Sequence, residues 1–293
     1  MFSAWVDRRL KWILVMPAVL FVLALMAFPV IYTLRLSMFD WNLSMGGSPA
    51  WIGLKNYSNL LVDARFWESV GHTFYYTFFA LAVETLLGIA IALLFFRKFK
   101  GSNVSKTILL LPMVATPVAI GLVWMLIYEP TIGIANAMLK SFGLTPLVWL
   151  GSKATVIPSL VLIDVWQFTP MVAIICIAGI ATIPTDPYES ASIDGASKWQ
   201  QTLYITLPLL RPTILIAVVL RLIELLKQFD TIFATTQGGP GTASETMNIF
   251  SYRLAFEYFQ MGQASASLML FLVIIMIFTA GFILLRKYTG VGT

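Results

Sequence analysis

Long apolar runs without charge constrain this chain more than any other feature of its sequence. Residues 12–34 contain no Asp, Glu, Lys or Arg, and neither do residues 107–128 or 261–285. An α-helix rises 1.5 Å per residue, so about 20 apolar residues cross the roughly 30 Å hydrocarbon core of a bilayer. Each of these runs is therefore long enough to span a membrane.

Three further apolar runs, which carry between one and four charges each, bring the predicted spans to six. The predicted spans are residues 12–34, 69–96, 107–128, 154–183, 207–228 and 261–285. Their continuous apolar character favours helices, since strands of a membrane barrel alternate over segments of about ten residues. The first run also exceeds the core of a cleavable signal, which has about 7–15 residues. We predict a single all-α transmembrane bundle over residues 1–293.

Composition excludes most other classes of protein. Hydrophobic residues make up 59% of the 293 residues and charged residues only 11%, whereas soluble domains carry about 25% charged residues. The formal net charge of +5 is typical of basic loops retained on one side of a membrane, and no nucleic-acid partner is predicted. The single His72 and single Cys176 are too few for a histidine-rich metal site or an intrachain disulfide, and no metal site is predicted.

The distribution of Lys and Arg predicts the orientation of the chain. With the N-terminus inside, the inner segments hold eleven Lys and Arg residues and the outer segments seven. Cytoplasmic segments are enriched in Lys and Arg. We therefore predict a multi-pass protein of a bacterial inner membrane, with both termini in the cytoplasm.

The polar interruption between the fourth and fifth spans, the 186–208 loop, carries a full set of helix signals. Asp186 is a predicted cap, Pro187 suits a first helical position, and Glu189 completes a capping-box spacing. Gly195 is a predicted stop, with a second short helix over residues 196–204. These signals alone fit two interpretations: an amphipathic hairpin on the membrane surface, or a helix that docks into another protein.

The spacing within this loop resembles that of a known family. Glu189, Ser190 and Ala191 are followed after three residues by Gly195, and after nine more by residues 205–208, which read Ile-Thr-Leu-Pro. This is similar to the Glu-Ala-Ala loop of the inner-membrane permeases of binding-protein-dependent ABC importers. Only the second position departs, with Ser190 in place of alanine. The resemblance implies the type I importer permease fold, with ATPase coupling through Glu189, Ser190, Ala191, Gly195, Ile205, Leu207 and Pro208.

Two outer segments resemble the carbohydrate branch of that family, the maltose and glycerol-phosphate type permeases. They are residues 52–61, and residues 229–240 with their Gly-Gly-Pro turn. The resemblance implies transport of a sugar, polyol, glycerol phosphate or modified sugar. We expect contacts with a solute-binding protein near residues 56–67 and at Gln237, Gly238, Gly239 and Pro240.

The resemblance also implies what the chain works with. The expected partners are a second, related permease subunit, two ABC ATPase subunits, an extracytoplasmic solute-binding protein and membrane lipid. ATP and magnesium would be bound by the ATPase subunits, since this chain lacks a G-x-x-x-x-G-K-[ST] loop. No cofactor is predicted for the chain itself, and it is predicted to be a transport subunit and not an enzyme.

Charged and polar residues within the predicted spans are candidates for the translocation path, because a charge at the centre of a bilayer costs about 2.5–3.5 kcal/mol on insertion scales. The candidates are Glu84, Asp164, Trp166, Gln167, Arg221, Glu224 and Gln228. Carboxylates, amides and aromatic rings suit the hydroxyls and faces of sugars. Alternatively, Arg221 and Glu224 neutralise each other, while Glu84 and Asp164 hydrogen-bond to neighbouring helices.

Three other functions fit these residues less well. An ion-coupled secondary transporter of a small polar solute would suit six spans with polar residues, but it has no need of the 186–208 loop. An intramembrane enzyme lacks a second histidine and a G-x-S-x-G nucleophile motif. A passive channel would need a selectivity filter, which the sequence does not reveal.

Overall fold

The structure is a computed structural model that describes residues 2–46, 48–96 and 100–288. Its helices are α1 (Phe2–Leu36), α2 (Lys55–Val62), α3 (Ala64–Phe96), α4 (Ser102–Val114), α5 (Pro117–Ile127), α6 (Ile134–Ser141), α7 (Val156–Ala181), α8 (Asp186–Ile193), α9 (Lys198–Gln201), α10 (Leu207–Leu226), α11 (Asp230–Thr236), α12 (Met247–Tyr252) and α13 (Met261–Tyr288). A 3-10 turn (Leu43–Met45) and two π-helical segments (Thr202–Thr206 and Arg253–Glu257) join some of them. Two short strands, β1 (Phe39–Asp40) and β2 (Ala50–Trp51), pair antiparallel.

Five helical stretches in the described chain are long and apolar enough to cross a membrane, and a bent pair of helices could make a sixth span. They are Leu14–Leu36, Ala64–Phe96, Val156–Ala181, Lys198–Leu226 and Met261–Ala280. The bent pair is Ser102–Val114 with Pro117–Ile127. Arg97 and Lys98, which were counted among the inner basic residues, lie outside the described residues.

The third predicted span, residues 107–128, is not one continuous helix. Helices α4 and α5 meet at a bend of 95°, with Ala115 and Thr116 between them in extended conformation. Pro117 explains the break, because proline has no N–H to donate and disfavours the helical conformation in the residue before it.

Contacts divide the chain into two units, and the first consists of Met1–Ala64 and Ser251–Ile277. Its strand pair sets Phe39 opposite Trp51, and their rings meet edge to face. The Asn56 side chain donates to the backbone oxygens of Ser37 at 2.8 Å and Phe39 at 2.9 Å. Asn56 is therefore buried and fixes the position of the segment that follows α1.

The second unit consists of Arg65–Phe250 and Phe278–Thr293. Helix α7 lies at its centre and packs against α10, α4 and α5. Helix α3 crosses α7 closely at Gly88, where an added Cβ would lie 2.6 Å from Val172 Cγ1. Small residues at such crossings let membrane helices approach each other, which is how this bundle packs without a hydrophobic driving force between helices.

Candidate functional site

The first half of the 186–208 loop forms helix α8, but its start differs from the prediction. Asp186 is the first helical residue and not the cap; Thr185 occupies the cap position without a side-chain cap hydrogen bond. The predicted capping box from Asp186 to Glu189 is therefore wrong. Pro187 is the second helical residue and not the first as predicted. The two acids in the first turn, Asp186 and Glu189, favour the positive end of the helix dipole.

Gly195 ends α8, as predicted, and the geometry explains why a glycine stands there. Its φ is +78°, a left-handed conformation that glycine adopts without the steric cost of a Cβ. The N–H of Ala196 donates to Ala191 O at 2.8 Å, and that of Gly195 donates to Ser192 O at 3.2 Å. These two bonds form a Schellman motif, which satisfies carbonyls left free at the end of a helix.

The second half of the loop contains the capping box that the first half lacks. Ser197 Oγ accepts from Gln200 N, and Gln200 Oε1 accepts from Ser197 N at 2.7 Å. Helix α9 follows, and the predicted helix over residues 196–204 is replaced by α9 and the π-helical Thr202–Thr206. The π-helical turn leads directly into α10.

The surface of this loop is open in the chain. Glu189, Ser190 and Gly195 are exposed, and a Cβ added at Gly195 would meet no atom within 4 Å. Ile193, at the end of α8, is 87% exposed. Ala191, Ile205, Leu207 and Pro208 are half-buried. The sequence-predicted coupling residues thus lie on one small, continuous stretch of chain with an uncovered apolar side chain at its tip.

Four of the predicted path residues meet in one ionic arrangement, the charge cluster of Glu84, Asp164, Arg221 and Glu224. Arg221 donates to Glu84 through Nε at 2.7 Å and Nη2 at 3.0 Å, and Nη2 also donates to Asp164. Its Nη1 donates to Glu224 at 2.8 Å. The guanidinium lies 4.3 Å from the centre of the Phe168 ring, within the range of a cation–π contact.

Burial separates the members of the charge cluster. Glu84, Asp164 and Arg221 are at most 2% exposed, whereas the Glu224 side chain is 45% exposed. Gln228 is half-buried, and its amide donates to Thr231 at 3.1 Å and to Asp164 at 3.4 Å. Arg221 bonds to both buried carboxylates as well as to Glu224, whereas the sequence had indicated only the pair of Arg221 and Glu224. Glu224 and Gln228 are the members of this region that a solute could reach.

Trp166 and Gln167 lie apart from this arrangement. The Trp166 ring contacts Trp124 edge to face, with 5.7 Å between ring centres, in a largely apolar pocket of about 660 Å³. Gln167 is buried, and its amide donates to Ala115 O at 3.2 Å beside the α4–α5 bend. Neither residue joins the charge cluster.

The Gly-Gly-Pro turn at residues 237–240 is held by hydrogen bonds of its own. Ser244 Oγ donates to Gly239 O at 2.6 Å and is 2.8 Å from Thr236 Oγ1. Gln237 is exposed, while Gly238 is buried. Of the other predicted contact region, Asn56 and Phe66 are buried, which leaves them unavailable to a binding protein in this conformation.

An ion pair that the sequence did not reveal fixes the segment after this turn. Arg65 Nε and Nη2 donate to the two oxygens of Glu245, each at 2.7 Å, and Glu245 is 1% exposed. His72 Nδ1 lies 3.2 Å from Glu245 O, so His72 has a hydrogen-bonding role. The partners are 180 positions apart, and no local pattern announces such a pair. Among the described residues, no group of three or more His, Cys, Asp or Glu could hold a metal ion.

Comparison with known proteins matches residues 84–288 to the family described as "Binding-protein-dependent transport system inner membrane component". A probable ABC transporter permease protein, y4oQ of Sinorhizobium fredii, is 35% identical over 90% of this chain and 86% of its own length. The trehalose/maltose transport system permease protein MalF of Thermococcus litoralis is 32% identical over 96% of this chain and 95% of its own.

Solved structures support the same fold. A bacterial alginate ABC transporter, crystallised in complex with an alginate pentasaccharide-bound periplasmic protein, contains a chain with a TM-score of 0.79. The two chains are 23% identical, and the match covers 93% of this chain and 92% of that one. This likeness shows that the two chains share a helical fold.

Proposed function

The chain belongs to the binding-protein-dependent transport system inner membrane components, and on that premise we propose that it moves a sugar or sugar-like solute into the cytoplasm by alternating access. The solute would arrive on a binding protein and pass between this chain and a second permease. The observation that carries the proposal is the match over 96% of the chain to a trehalose/maltose permease. As a member of this family the chain is a transport component, and the ion-coupled alternative has no support from it.

We propose that the 186–208 loop couples the chain to a separate ATPase. Glu189, Ser190 and Gly195 are exposed, and Ile193 offers an apolar side chain with no cover. A short helix with small residues and one apolar tip suits helix-in-groove recognition. After the bend at Gly195, α9, the π-helical turn and α10 follow one another without a break, and Tyr188 Oη of α8 lies 3.0 Å from Thr206 Oγ1 of that turn. A displacement of α8 would therefore be passed to a membrane helix, as alternating access requires.

The other subunits follow from this scheme. Two ATPase subunits would bind ATP and magnesium, and each would hold the loop of one permease. The binding protein would contact the outer side at Gln237, Gly239 and Pro240, since Gly238 is buried; the alginate transporter was crystallised with such a periplasmic protein. In this proposal both termini and the 186–208 loop lie in the cytoplasm.

Within the bundle, we propose that Glu224 and Gln228 face the solute. Glu224 is half-exposed while Arg221 holds its carboxylate in place. A carboxylate and an amide supply hydrogen-bond acceptors and donors for sugar hydroxyls. Glu84, Asp164 and Arg221 would then position Glu224 and make no contact with the solute.

Cysteine crosslinking tests the coupling role. The one native cysteine, Cys176, is buried, so Ser190→Cys or Ala191→Cys gives a single accessible thiol at the loop. We expect crosslinks from these positions to the ATPase subunit in membranes of cells that contain the whole transporter. Ser141→Cys, on exposed α6, serves as the control and should give none. Crosslinks absent from both loop positions, with normal transport, would refute the coupling role.

A transport assay tests the path. Glu224→Gln and Gln228→Ala should lower sugar uptake while binding-protein-independent ATP hydrolysis is unchanged. Glu257→Gln, which alters an exposed carboxylate paired with Arg253, is a matched control. Unchanged uptake in both path variants would remove Glu224 and Gln228 from the site.

A further inference from the structure

An open groove lies between the last two turns of α3 and the second half of the 186–208 loop. Its volume is about 540 Å³, which falls in the range of about 300–1,000 Å³ typical of ligand sites. The inner groove, as we call it, is lined by Ala90, Leu93, Leu94, Phe96, Tyr188, Lys198, Trp199, Gln201, Thr202 and Thr206. It is separate from the charge cluster and from the exposed surface of α8.

The two walls of the inner groove differ in polarity. The α3 wall is entirely apolar, and Leu94 and Phe96 are exposed although they belong to a membrane-spanning helix. The opposite wall carries amide, hydroxyl, indole and ammonium groups from α9 and the π-helical turn. A ligand that fits this groove has an apolar part along α3 and a polar part against the loop.

The polar wall of the inner groove is positively charged. Lys198 is the one ionic residue among the described residues that line the groove, and none of them is acidic. Its ammonium group has three N–H donors, one of which reaches Gln201 Oε1 at 3.2 Å. Trp199 is 69% exposed beside it, and a tryptophan next to a lysine is typical of the level of lipid headgroups.

We propose that the inner groove binds an anionic phospholipid, with an acyl chain along Ala90, Leu93 and Leu94 and the phosphate at Lys198. The apolar wall belongs to a span whose neighbouring residue Leu86 is 68% exposed, so the groove continues directly from the surface that lipid covers. The bound lipid joins α3 to α9 beside the proposed coupling helix. The proposal does not depend on which solute is carried.

The groove is held open by contacts of its own. The rings of Phe96 and Tyr188 lie 5.7 Å apart, and Tyr188 Oη is 3.0 Å from Thr206 Oγ1. These contacts join the end of α3, α8 and the π-helical turn around the groove without filling it. The site therefore has fixed walls into which a lipid can fit.

Native mass spectrometry of the assembled transporter tests the charge of the ligand. The transporter is taken from nanodiscs that contain phosphatidylglycerol and phosphatidylcholine in equal amounts, and the lipids retained are counted. We expect a preference for phosphatidylglycerol that Lys198→Gln lowers about fivefold, the usual effect of one lysine at an anionic surface. Lys106→Gln, a basic residue of α4 outside the groove lining, should leave the preference unchanged. Equal effects of the two variants, or none, would overturn the proposal.

Filling the groove tests its location. Ala90→Trp places a large side chain in the groove from an exposed position, and Leu86→Trp makes a similar change one turn earlier, outside the lining. The first variant should lose the retained phosphatidylglycerol and the second should keep it. If both retain it equally, the lipid binds elsewhere and the proposal fails.

A photocrosslinker at Leu94→Cys distinguishes a lipid from a protein occupant, since Cys176 is buried. A benzophenone on this thiol should yield a phospholipid adduct in the assembled transporter. An adduct with an ATPase or partner permease in its place would show that another subunit fills the groove, and would overturn the proposal.

Discussion

The 186–208 loop and the charge cluster use hydrogen bonds at opposite ranges along the chain. In the loop, the bonds of Gly195, Ala196 and Ser197 join residues within five positions of one another. In the charge cluster, Arg221 meets Asp164 from 57 positions away and Glu84 from 137. A local element of this kind can change shape without unfolding the bundle. The charge cluster joins three membrane helices, α3, α7 and α10, and therefore cannot change shape without disturbing the bundle.

Removing the cation of the charge cluster should have the largest effect. Arg221→Met leaves the carboxylates of Glu84 and Asp164 buried without their partner, and breaking a buried ion pair in this way costs about 3–5 kcal/mol. We expect a strongly lowered unfolding temperature of the purified protein and low levels in the membrane. Differential scanning fluorimetry in detergent measures the first, and immunoblotting of membranes the second.

Two variants isolate the electrostatic origin of that loss. Glu224→Gln changes a half-exposed partner of the same arginine and should cost no more than about 1 kcal/mol. The triple variant Glu84→Gln, Asp164→Asn, Arg221→Gln removes all three buried charges of the charge cluster and should recover much of the stability that Arg221→Met loses. An Arg221→Met protein as stable as wild type would show that the cluster does not hold the helices.

Gly88 and Gly195 extend the comparison, since Gly88 allows two helices to pack closely and Gly195 forms a turn. Gly88→Ala places a Cβ 2.6 Å from Val172 Cγ1, and such overpacking costs about 1–3 kcal/mol. We expect a lower unfolding temperature and, because α3 and α7 must separate slightly, lower transport. Gly71→Ala on the same helix meets no atom within 4 Å and should be neutral; equal stability of the two variants would argue against a tight crossing.

Gly195→Val should affect function more than stability, in contrast to Gly88→Ala. A left-handed conformation costs a residue with a Cβ about 1–2 kcal/mol, which the loop can relieve by local rearrangement. We expect near-normal membrane levels with binding-protein-stimulated ATP hydrolysis lost. Gly195→Asn, which tolerates a positive φ, should retain more coupling than the valine variant; the reverse order would indicate that side-chain size and not backbone conformation matters here.

The range of these interactions explains what the sequence could predict. Gly195 as a helix stop and the spacing from Glu189 to Pro208 are local signals, and the family match confirms the resemblance they suggested. The all-α permease fold, which the long apolar runs and that resemblance indicated, is confirmed by the likeness to a solved importer chain. Which loop and path residues act in transport stays a prediction.

The sequence could not predict contacts between residues that are far apart along the chain. The spacing of Arg221 and Glu224 indicated one pair, but nothing in the pattern could show that Glu84 and Asp164 join it. The ion pair of Arg65 and Glu245 was missed for the same reason. The 95° bend at Pro117 was not predicted for the span 107–128, because a proline in a span signals a break without its angle. The capping box was assigned to Asp186, although Ser197 and Gln200 also have the required spacing.

The smallest expected effect is that of changing Glu129. Glu129 is ionised, like the members of the charge cluster, but its hydrogen-bond partners are local, like those of the 186–208 loop. Its Oε2 accepts from Ile132 N at 2.6 Å and from Thr131 N and Oγ1, each at 2.7 Å. The N–H of Ile132, followed by the hydroxyl of Thr131, lowers the pKa of this carboxyl below its ordinary value. Hydrogen bonds to the charged form therefore stabilise the turn above the ordinary glutamate pKa, and this contribution is lost as the pH falls through the lowered pKa.

We expect the amides of Thr131 and Ile132 to be protected from hydrogen exchange at neutral pH, relative to intrinsic rates, and less protected in acid. Glu129→Ala should remove the protection and its dependence on pH while the charge cluster is unaffected. Protection that is the same at both pH values in the wild type would mean that the backbone alone holds this turn.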